Sequence, residues 1–465
     1  MSAAGAGGTL WGSGEPLDPA LDAYTAAEDR VWDRRLLLWD IAGTMAHVHG
    51  LARARLISGD EEARLHSALR DALDDAAAGR LTVTGADEDV HTALERYLTE
   101  RLGEIGEKVH TGRSRNDQVA ADLRLHIKHG LLRAEELLVD AAGALIEFGA
   151  RHQRVLWPGY THGRRAMPST VGLWAAGYAE LLLDDLGPLE AARALADRSP
   201  LGSAAGYGVP LPLEREEVAE RLGFAGLQEC VTSVQAARGK LEGATLAALW
   251  CAGCDLGKLS RDVVLFSSDE FGFLVLPRSL ATGSSIMPHK RNPDLFELTR
   301  GRAAEIAGLA MQVMGIAMGL PGGYHRDLQL TKGPLVKGID TLCDMARAVG
   351  SAVPLIEVDP VACRRAVDAG CLATEEVMRR VVEGVPFRRA YREVAAAVAA
   401  GEPLPRPSDE EILARRESFA GPSLFEKLAA RRREAEASVR LRRLRFREAL
   451  DALAGRPWPF EALRP

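Results

Sequence analysis

The stretch ATGSSIMPHKRNPDLFE, which begins at Ala281, sets Ser284, Lys290, Asn292 and Glu297 close together among small, turn-forming residues. Gly283 and the two serines free backbone N–H groups to close around an anion. Lys290 adds a positive charge and Asn292 adds directed donors. Glu297 opens the next helical pattern and could orient a histidine. A second break, WPGYTHGRRAMP, carries Thr161 and His162. A lone histidine is most often a hydrogen-bonded structural residue. It is also the side chain most easily tuned for proton transfer near neutral pH. A third break, EKVHTGRSRNDQ, holds His110, Arg113, Ser114, Arg115, Asn116 and Asp117 ahead of a long helical pattern. Arginine forks with Ser and Asn donors at a helix start make a carboxylate cradle. The same residues also read as an N-capping turn, with Asn116 or Asp117 as the cap and the arginines in solvent. The segment alone leaves both open.

Asp87, Glu88 and Asp89 run into His91. Oxygen-ligand metal loops space their acids around a glycine turn, so this run is read as a helix cap and no metal is expected. There is no phosphate-binding GxxxxGK[ST], no HExxH and no GxGxxG between a strand and a helix. If the three breaks meet at one end of a bundle, the site holds several anion donors, a base and an orienting carboxylate. That set suits a small polycarboxylate losing a proton next to a carboxylate, whose developing charge fixed donors would stabilise.

The elements that must position these groups are helical. Hydrophobic residues make up 47% of the 465 and charged residues 26%, as in soluble globular chains, while aromatic content is only 5% and Ala and Leu abound. That bias favours helices over sheets. The length exceeds one ordinary core, so several domains are expected. Apolar residues recur at three-to-four spacing in 28–57 and 60–79, a Pro-free helical pattern covers 117–152, and similar patterns cover 169–197, 233–268 and 296–320. LTVTG, from Leu81, is a weak strand signal. The reading is an all-α chain with domains at 1–115, 116–360 and 361–465, the middle one a bundle of long helices. Helices apolar on more than one face need partners, so a homo-oligomer is expected.

The net charge of −7 gives no general attraction to nucleic acid. The basic run RRREAEASVRLRRLRFREAL reads as a solvated amphipathic helix rather than an RNA surface. The opening residues lack a basic region followed by an apolar one, so a cytoplasmic chain with reduced thiols is expected. Cys251 and Cys254 form a lone CxxC with no second ligand pair and read as core cysteines on a buried helix. No apolar run is long enough to span a membrane.

The residues Gly283-Ser284-Ser285-Ile286-Met287-Pro288-His289-Lys290-Arg291-Asn292 meet the pattern GSSxMPxKxN in full. With HTGRSRNDQ from His110, PGYTH and YHRDLQLTK, the chain resembles the fumarase/aspartase superfamily and, within it, the argininosuccinate lyase family. The similarity runs in order from LWG near the start through Pro334, and only weakly beyond. It implies a three-domain all-α fold and a homotetramer with a 20-helix core. Each active site would be shared by three subunits, with no cofactor. The implied reaction is reversible β-elimination of argininosuccinate to arginine and fumarate.

By the same resemblance, Ser284 is the base, with its alkoxide stabilised by loop amides and Lys290. His162, oriented by Glu297, assists proton transfer. Ser114, Arg115, Asn116, Thr161, Lys290 and Asn292 hold the succinate carboxylates. Tyr324, Gln329 and Lys332 grip the amino-acid end, Asp33 faces the guanidinium, and His91 lies near the site. The chain departs from the family pattern mainly on the amine side, where Asp29 stands in place of a serine. The implied alternatives are a paralogous lyase that releases fumarate from another N-substituted aspartate and a catalytically silent, crystallin-like member.

Overall fold

The computed structural model describes residues 18–463. The opening segment, on which the absence of a secretion leader and the start of the family resemblance were read, lies outside them. The first helices are α1 (Pro19–Asp33), α2 (Leu37–Arg53), α3 (Gly59–Ala77), α4 (Val90–Leu102) and the single turn α5 (Glu104–Glu107). Their starts follow the caps written in the sequence. The Asp18 side chain accepts from Ala20 N at 2.9 Å, Ser58 and Glu61 form a capping box, and the Asp89 side chain accepts from Thr92 N at 2.8 Å. The Asp87–Asp89 run is therefore a cap, as read. The single helix expected over 28–57 is broken at Arg34–Leu36. LTVTG forms no strand, although Leu81 and Val83 are buried.

The frame of the molecule is α6 (Arg115–Arg151), 37 residues without a break. Beside it lie α7 (Val171–Asp184), α8 (Leu186–Ala196), α9 (Arg215–Arg221), α10 (Val231–Ala236), α11 (Lys240–Phe266), α12 (Asp294–Met318) and α13 (Lys332–Ala352). Two expected single helices are each divided. The 169–197 pattern breaks at Asp185. The 233–268 pattern breaks at Ala237–Gly239, where Gly239 takes φ +78°. Small residues let the rods close up. A Cβ on Gly130 would sit 2.6 Å from Ile339, one on Gly338 would run into Leu246, and one on Gly257 would sit 3.0 Å from Ala303. These contacts also fix direction. Gly239, Gly243 and Gly257 of the α11 side meet Ala317, Met314 and Ala303 of α12 in reverse order, so α12 runs antiparallel to α11. Gly130 meets Ile339 and Gly350 meets Ala141, so α13 runs parallel to α6.

The remaining helices are α14 (Pro360–Arg365), α15 (Ala373–Val382), α16 (Phe387–Ala399), α17 (Asp409–Ala414), α18 (Glu417–Ala420) and α19 (Pro422–Ala454). The basic face of α19 is used against α6: Arg442 bonds Glu135 at 2.8 Å, and Arg443 pairs with Glu136. Cys251 and Cys254 are half-buried on the flank of α11, beside exposed Trp250, rather than core residues. No helix among the described residues is long and apolar enough to cross a membrane.

Among the described residues, sheet is confined to three small antiparallel pairs: β1 (Leu156–Thr161) with β2 (Arg164–Thr170), β3 (Leu274–Val275) with β6 (Glu357–Val358), and β4 (Thr282–Gly283) with β5 (Arg291–Asn292). Two of the three expected breaks are thus built on strands. The β1–β2 hairpin stands at the end of α6, and its turn residues His162 and Gly163 take φ +53° and +68°. Two positive φ values between the paired Thr161 and Arg164 make a tight two-residue turn that Gly163 suits and that histidine tolerates better than most side chains.

Candidate active site

The first break closes α6. Ser114, not Asn116 or Asp117, is the N-cap: its Oγ accepts from Asn116 N, and Asp117 Oδ1 accepts from Ser114 N at 2.9 Å. The arginines are not in solvent. Arg113 is buried and donates to Thr44 Oγ1 and to the Val109 carbonyl. Arg115 reaches Asp89 at 2.6 Å, Glu88 at 2.8 Å and Thr92 Oγ1 at 2.8 Å. The segment is therefore a cap and one wall of a cleft at once.

That cleft is lined by Asp29, Asp33, Glu88, Asp89, His91, Arg115, Asn116, Val119, Arg238, Tyr324, Arg326, Gln329 and Lys332. It gathers seven expected residues: Asp33, His91, Arg115, Asn116, Tyr324, Gln329 and Lys332. The start of α13 delivers Lys332, whose Nζ lies 2.5 Å from Asp33 Oδ1 and 2.8 Å from Asp29 Oδ1. Burial disfavours the ammonium, but the two carboxylates outweigh it and hold the Lys332 pKa above its usual value. Burial raises Asp33 against the pull of Lys332 and also raises the Tyr324 hydroxyl. Gln329 bonds Asp29. Arg238 was not anticipated. Its Nε reaches Glu242 Oε1 at 3.0 Å and its Nη2 reaches the Leu328 carbonyl, while its buried Nη1 has no protein hydrogen bond. The Arg238-to-Glu242 spacing of one helical turn was its only sequence signal. Arg326, Glu88 and Asp89 also line the cleft without having been assigned to it.

His91 sits on the cleft floor, with Nδ1 2.8 Å from Asp40 Oδ1. Burial alone would lower its pKa, but Asp40, with Asp89 and Asp122, lifts it to about 9. Asp122 is buried with neither carboxylate oxygen bonded. Burial, aided by nearby Asp40, pushes its pKa well above the usual range. Because the His91 pKa is higher folded than unfolded, its contribution to stability is complete below about pH 6.5 and is lost as pH rises through 9. The advantage of the wild type over His91→Gln in urea unfolding, at fixed protein concentration, should therefore shrink between pH 6.5 and 10. The expected change is on the order of 3 kcal/mol. An advantage that stays flat across that range would remove the charged His91–Asp40 pair.

The other expected groups lie elsewhere. Ser284 is half-buried between β4 and β5, and its Oγ accepts from Met287 N at 3.1 Å and Ile286 N at 3.4 Å. Lys290 is exposed on the same loop and Asn292 lies on β5. Glu297 is exposed on the first turn of α12 and pairs with Arg300 at 3.2 Å. The expected orientation of His162 by Glu297 does not occur within one chain. Thr161 and His162 are exposed at the hairpin tip. The ring of Phe266, which ends α11, packs at a tilt with its centroid 4.8 Å from Trp157 and 5.7 Å from Tyr160, so the hairpin and the serine loop share the far end of the bundle.

The three breaks therefore do not converge in one chain. Ser114–Asn116 and the hairpin stand at opposite ends of α6, about 55 Å apart at 1.5 Å per residue. The serine loop and the Tyr324–Lys332 segment stand at opposite ends of α12, about 37 Å apart by the same rise. One end carries a cleft rich in paired charges. The other carries a serine under two amides, a lysine and a histidine.

The model of the lyase family matches residues 16–308. The argininosuccinate lyase of Sorangium cellulosum is 43% identical over 89% of this chain and 95% of its own. That of Parabacteroides distasonis is 39% identical over 90% and 97%. Among solved structures, an EDDS lyase variant with bound fumarate superposes with a TM-score of 0.78 at 22% identity, covering 97% of each chain. The 3-carboxy-cis,cis-muconate lactonizing enzyme of Pseudomonas putida gives 0.66 at 22% over 94% of this chain and 99% of its own. The last two show a shared fold. With two-fifths identity to argininosuccinate lyases along nine-tenths of its length, the chain belongs to the argininosuccinate lyase family, among the carbon–nitrogen lyases of the fumarase/aspartase superfamily.

Proposed function

We propose that the chain catalyses the reversible elimination of argininosuccinate to arginine and fumarate, as a cytoplasmic homotetramer whose sites each draw on more than one subunit. The observation that carries the chemistry is the Ser284 oxygen under two backbone amides, with Lys290 on the same loop. Donors aimed at an oxygen favour its ionised form, and a serine needs that help to act as a base. Ser284 takes the proton from the succinate carbon next to the carbon that bears nitrogen. The electron pair passes into the adjacent carboxylate as an aci-carboxylate, held by Asn116, Thr161, Asn292 and Lys290. The carbon–nitrogen bond then breaks, the carbon–carbon double bond of fumarate forms, and the leaving nitrogen gains a proton with help from His162. In the cleft, Lys332, Gln329 and Tyr324 receive the amino-acid end and Asp33 the guanidinium. Lys332 then exchanges one of its carboxylate partners for that of the ligand.

The distances support sharing between subunits. The two half-sites are complementary and too far apart to meet within a chain, whereas antiparallel bundles would bring one end of a copy against the other end of its neighbour. The surface supports such packing: Met311, Met314 and Met318 form an exposed stripe on α12, with Leu298 and Trp250 also exposed.

One observation favours a second reading. Asp29 and Asp33 both face Lys332, and a second buried carboxylate on the amine side would suit another cationic N-succinyl amine. The test is ultraviolet detection of fumarate from purified protein given argininosuccinate, with adenylosuccinate and aspartate as controls. Release from argininosuccinate alone is expected. Silence from a folded tetramer would move the reading to another amine, to be sought by running the reaction backwards with fumarate and a panel of amines.

A further inference from the structure

The hairpin that carries His162 cannot hold its own tip. It has only two strands, which are marginal in isolation. Its register is irregular between Pro158 and Tyr160, so the outermost pairs, Tyr160 with Arg165 and Thr161 with Arg164, are separated from the root by a bulge. At the root, Pro158 faces Pro168. The Pro168 carbonyl turns away from its partner strand, and Arg416 Nε donates to it at 3.1 Å.

Arg416 is 7% exposed and sits between α17 and α18. It ties three elements together. Besides Pro168, its Nη1 donates to the Ile412 carbonyl of α17 at 2.9 Å, and its Nη2 pairs with Glu375 of α15. Glu375 is itself 9% exposed and also receives Arg415 at 3.3 Å. Two further contacts join the hairpin to the same module. Leu156 of β1 shares a small separate core with Val367, Cys371, Leu372 and Ile412. Near the tip, Arg165 bonds Asp368 at 2.8 Å. A buried ion pair adds little net stability over apolar packing, but it enforces one geometry because its fork is satisfied in one arrangement.

We infer that the buried Arg416–Glu375 pair is the mount of the His162 hairpin, and that the C-terminal module of α15 and α17 thereby serves the reaction as a positioning device. Arg416 is a positioning residue: its bond to β2 lies four residues from the turn, about 13 Å along the strand. The inference rests on the proposed role of His162. Displacing a proton-transfer group by about 1 Å costs turnover while leaving binding by the remote cleft intact.

The experiment is a double-mutant cycle on the full chain, read as kcat and KM for fumarate release, with tetramer content and unfolding midpoint measured in parallel. Arg416→Met should lower kcat at least about tenfold, with KM changed less than twofold. Added guanidinium should restore part of kcat, and Arg416→Lys should not rescue, because an ammonium cannot reproduce a three-way fork. In the His162→Asn background, Arg416→Met should lower the residual turnover by a clearly smaller factor, the part that Thr161 on the same tip accounts for. Unchanged kcat in folded Arg416→Met overturns the mount, as does the same fold-loss in both backgrounds. If Arg416→Met fails to assemble, Glu375→Gln keeps the shape and a neutral acceptor. It should show the same kcat-only loss to a smaller degree, and normal kcat there overturns the proposal. Full turnover in His162→Asn removes the reading of His162 itself. A crippled His162→Asn beside an undisturbed Arg416→Met removes only the mount.

Discussion

Ser284→Ala should abolish fumarate release, with a loss on the order of 10³-fold, while the protein stays folded and still binds substrate. Among the described residues the Ser284 side chain makes two hydrogen bonds, both accepted from amides of its own loop. Ile286, which donates one of them, is 83% exposed. Removing the oxygen leaves those amides to water, so the change in stability should fall within about 0.5 kcal/mol. Binding through the distant cleft is untouched. The expected signature is a collapse of kcat with an unchanged unfolding midpoint and a substrate dissociation constant, from calorimetry, near that of the wild type. The small residual rate would come from the remaining donors acting on bound substrate. Near-normal turnover would mean that another group, such as Lys290 or His162, takes the proton.

The second large effect is recovery of activity from two dead proteins. Asn116→Asp is isosteric and places a negative charge where a succinate carboxylate should bind. Ser284→Ala disables the opposite end of the bundle. Each alone should be inactive. Dissociated, mixed in equal amounts and reassembled, they should regain about a quarter of wild-type turnover, because random assembly pairs an intact cleft with an intact serine loop in one site of four. The basis is the length of α6 and α12, which no side chain can span. No recovery from mixed, reassembled tetramers would mean that each site is built within one chain, against the distances. Mixing His162→Asn with Ser284→Ala asks a finer question, since both residues sit at the same end. Recovery there requires the two to reach one site from different subunits.

The bundle was legible because its signal is local. Apolar residues recur at helical spacing from Asp117 to His152 without a proline, and one 37-residue helix results. Helix α13 was less visible. Gly333-Pro334 reads as a break, although proline is tolerated in the first turn of a helix, where its missing N–H has no partner to lose. The hairpin was hidden for a related reason. Pro158, Gly159, Gly163 and Pro168 look like loop punctuation, yet they sit at strand edges, at a bulge and in a turn. The chemistry-bearing residues could be named from motifs. Their grouping into two ends could not, because it depends on which way each helix runs. Asp122 and Arg238 were missed because their significance is burial, which a single aspartate or arginine in a sequence does not announce.

The two prolines of the hairpin root also govern how a single copy of the chain meets other molecules. A bare two-stranded ribbon offers two open edges, and an open edge recruits strands from other molecules. The outward side of the root carries proline nitrogens, which cannot donate, and the Pro168 carbonyl beside them is already taken by Arg416. A passing strand finds no donor to pair with there. A single copy can therefore expose this hairpin in a crowded cell without seeding aggregates at its root.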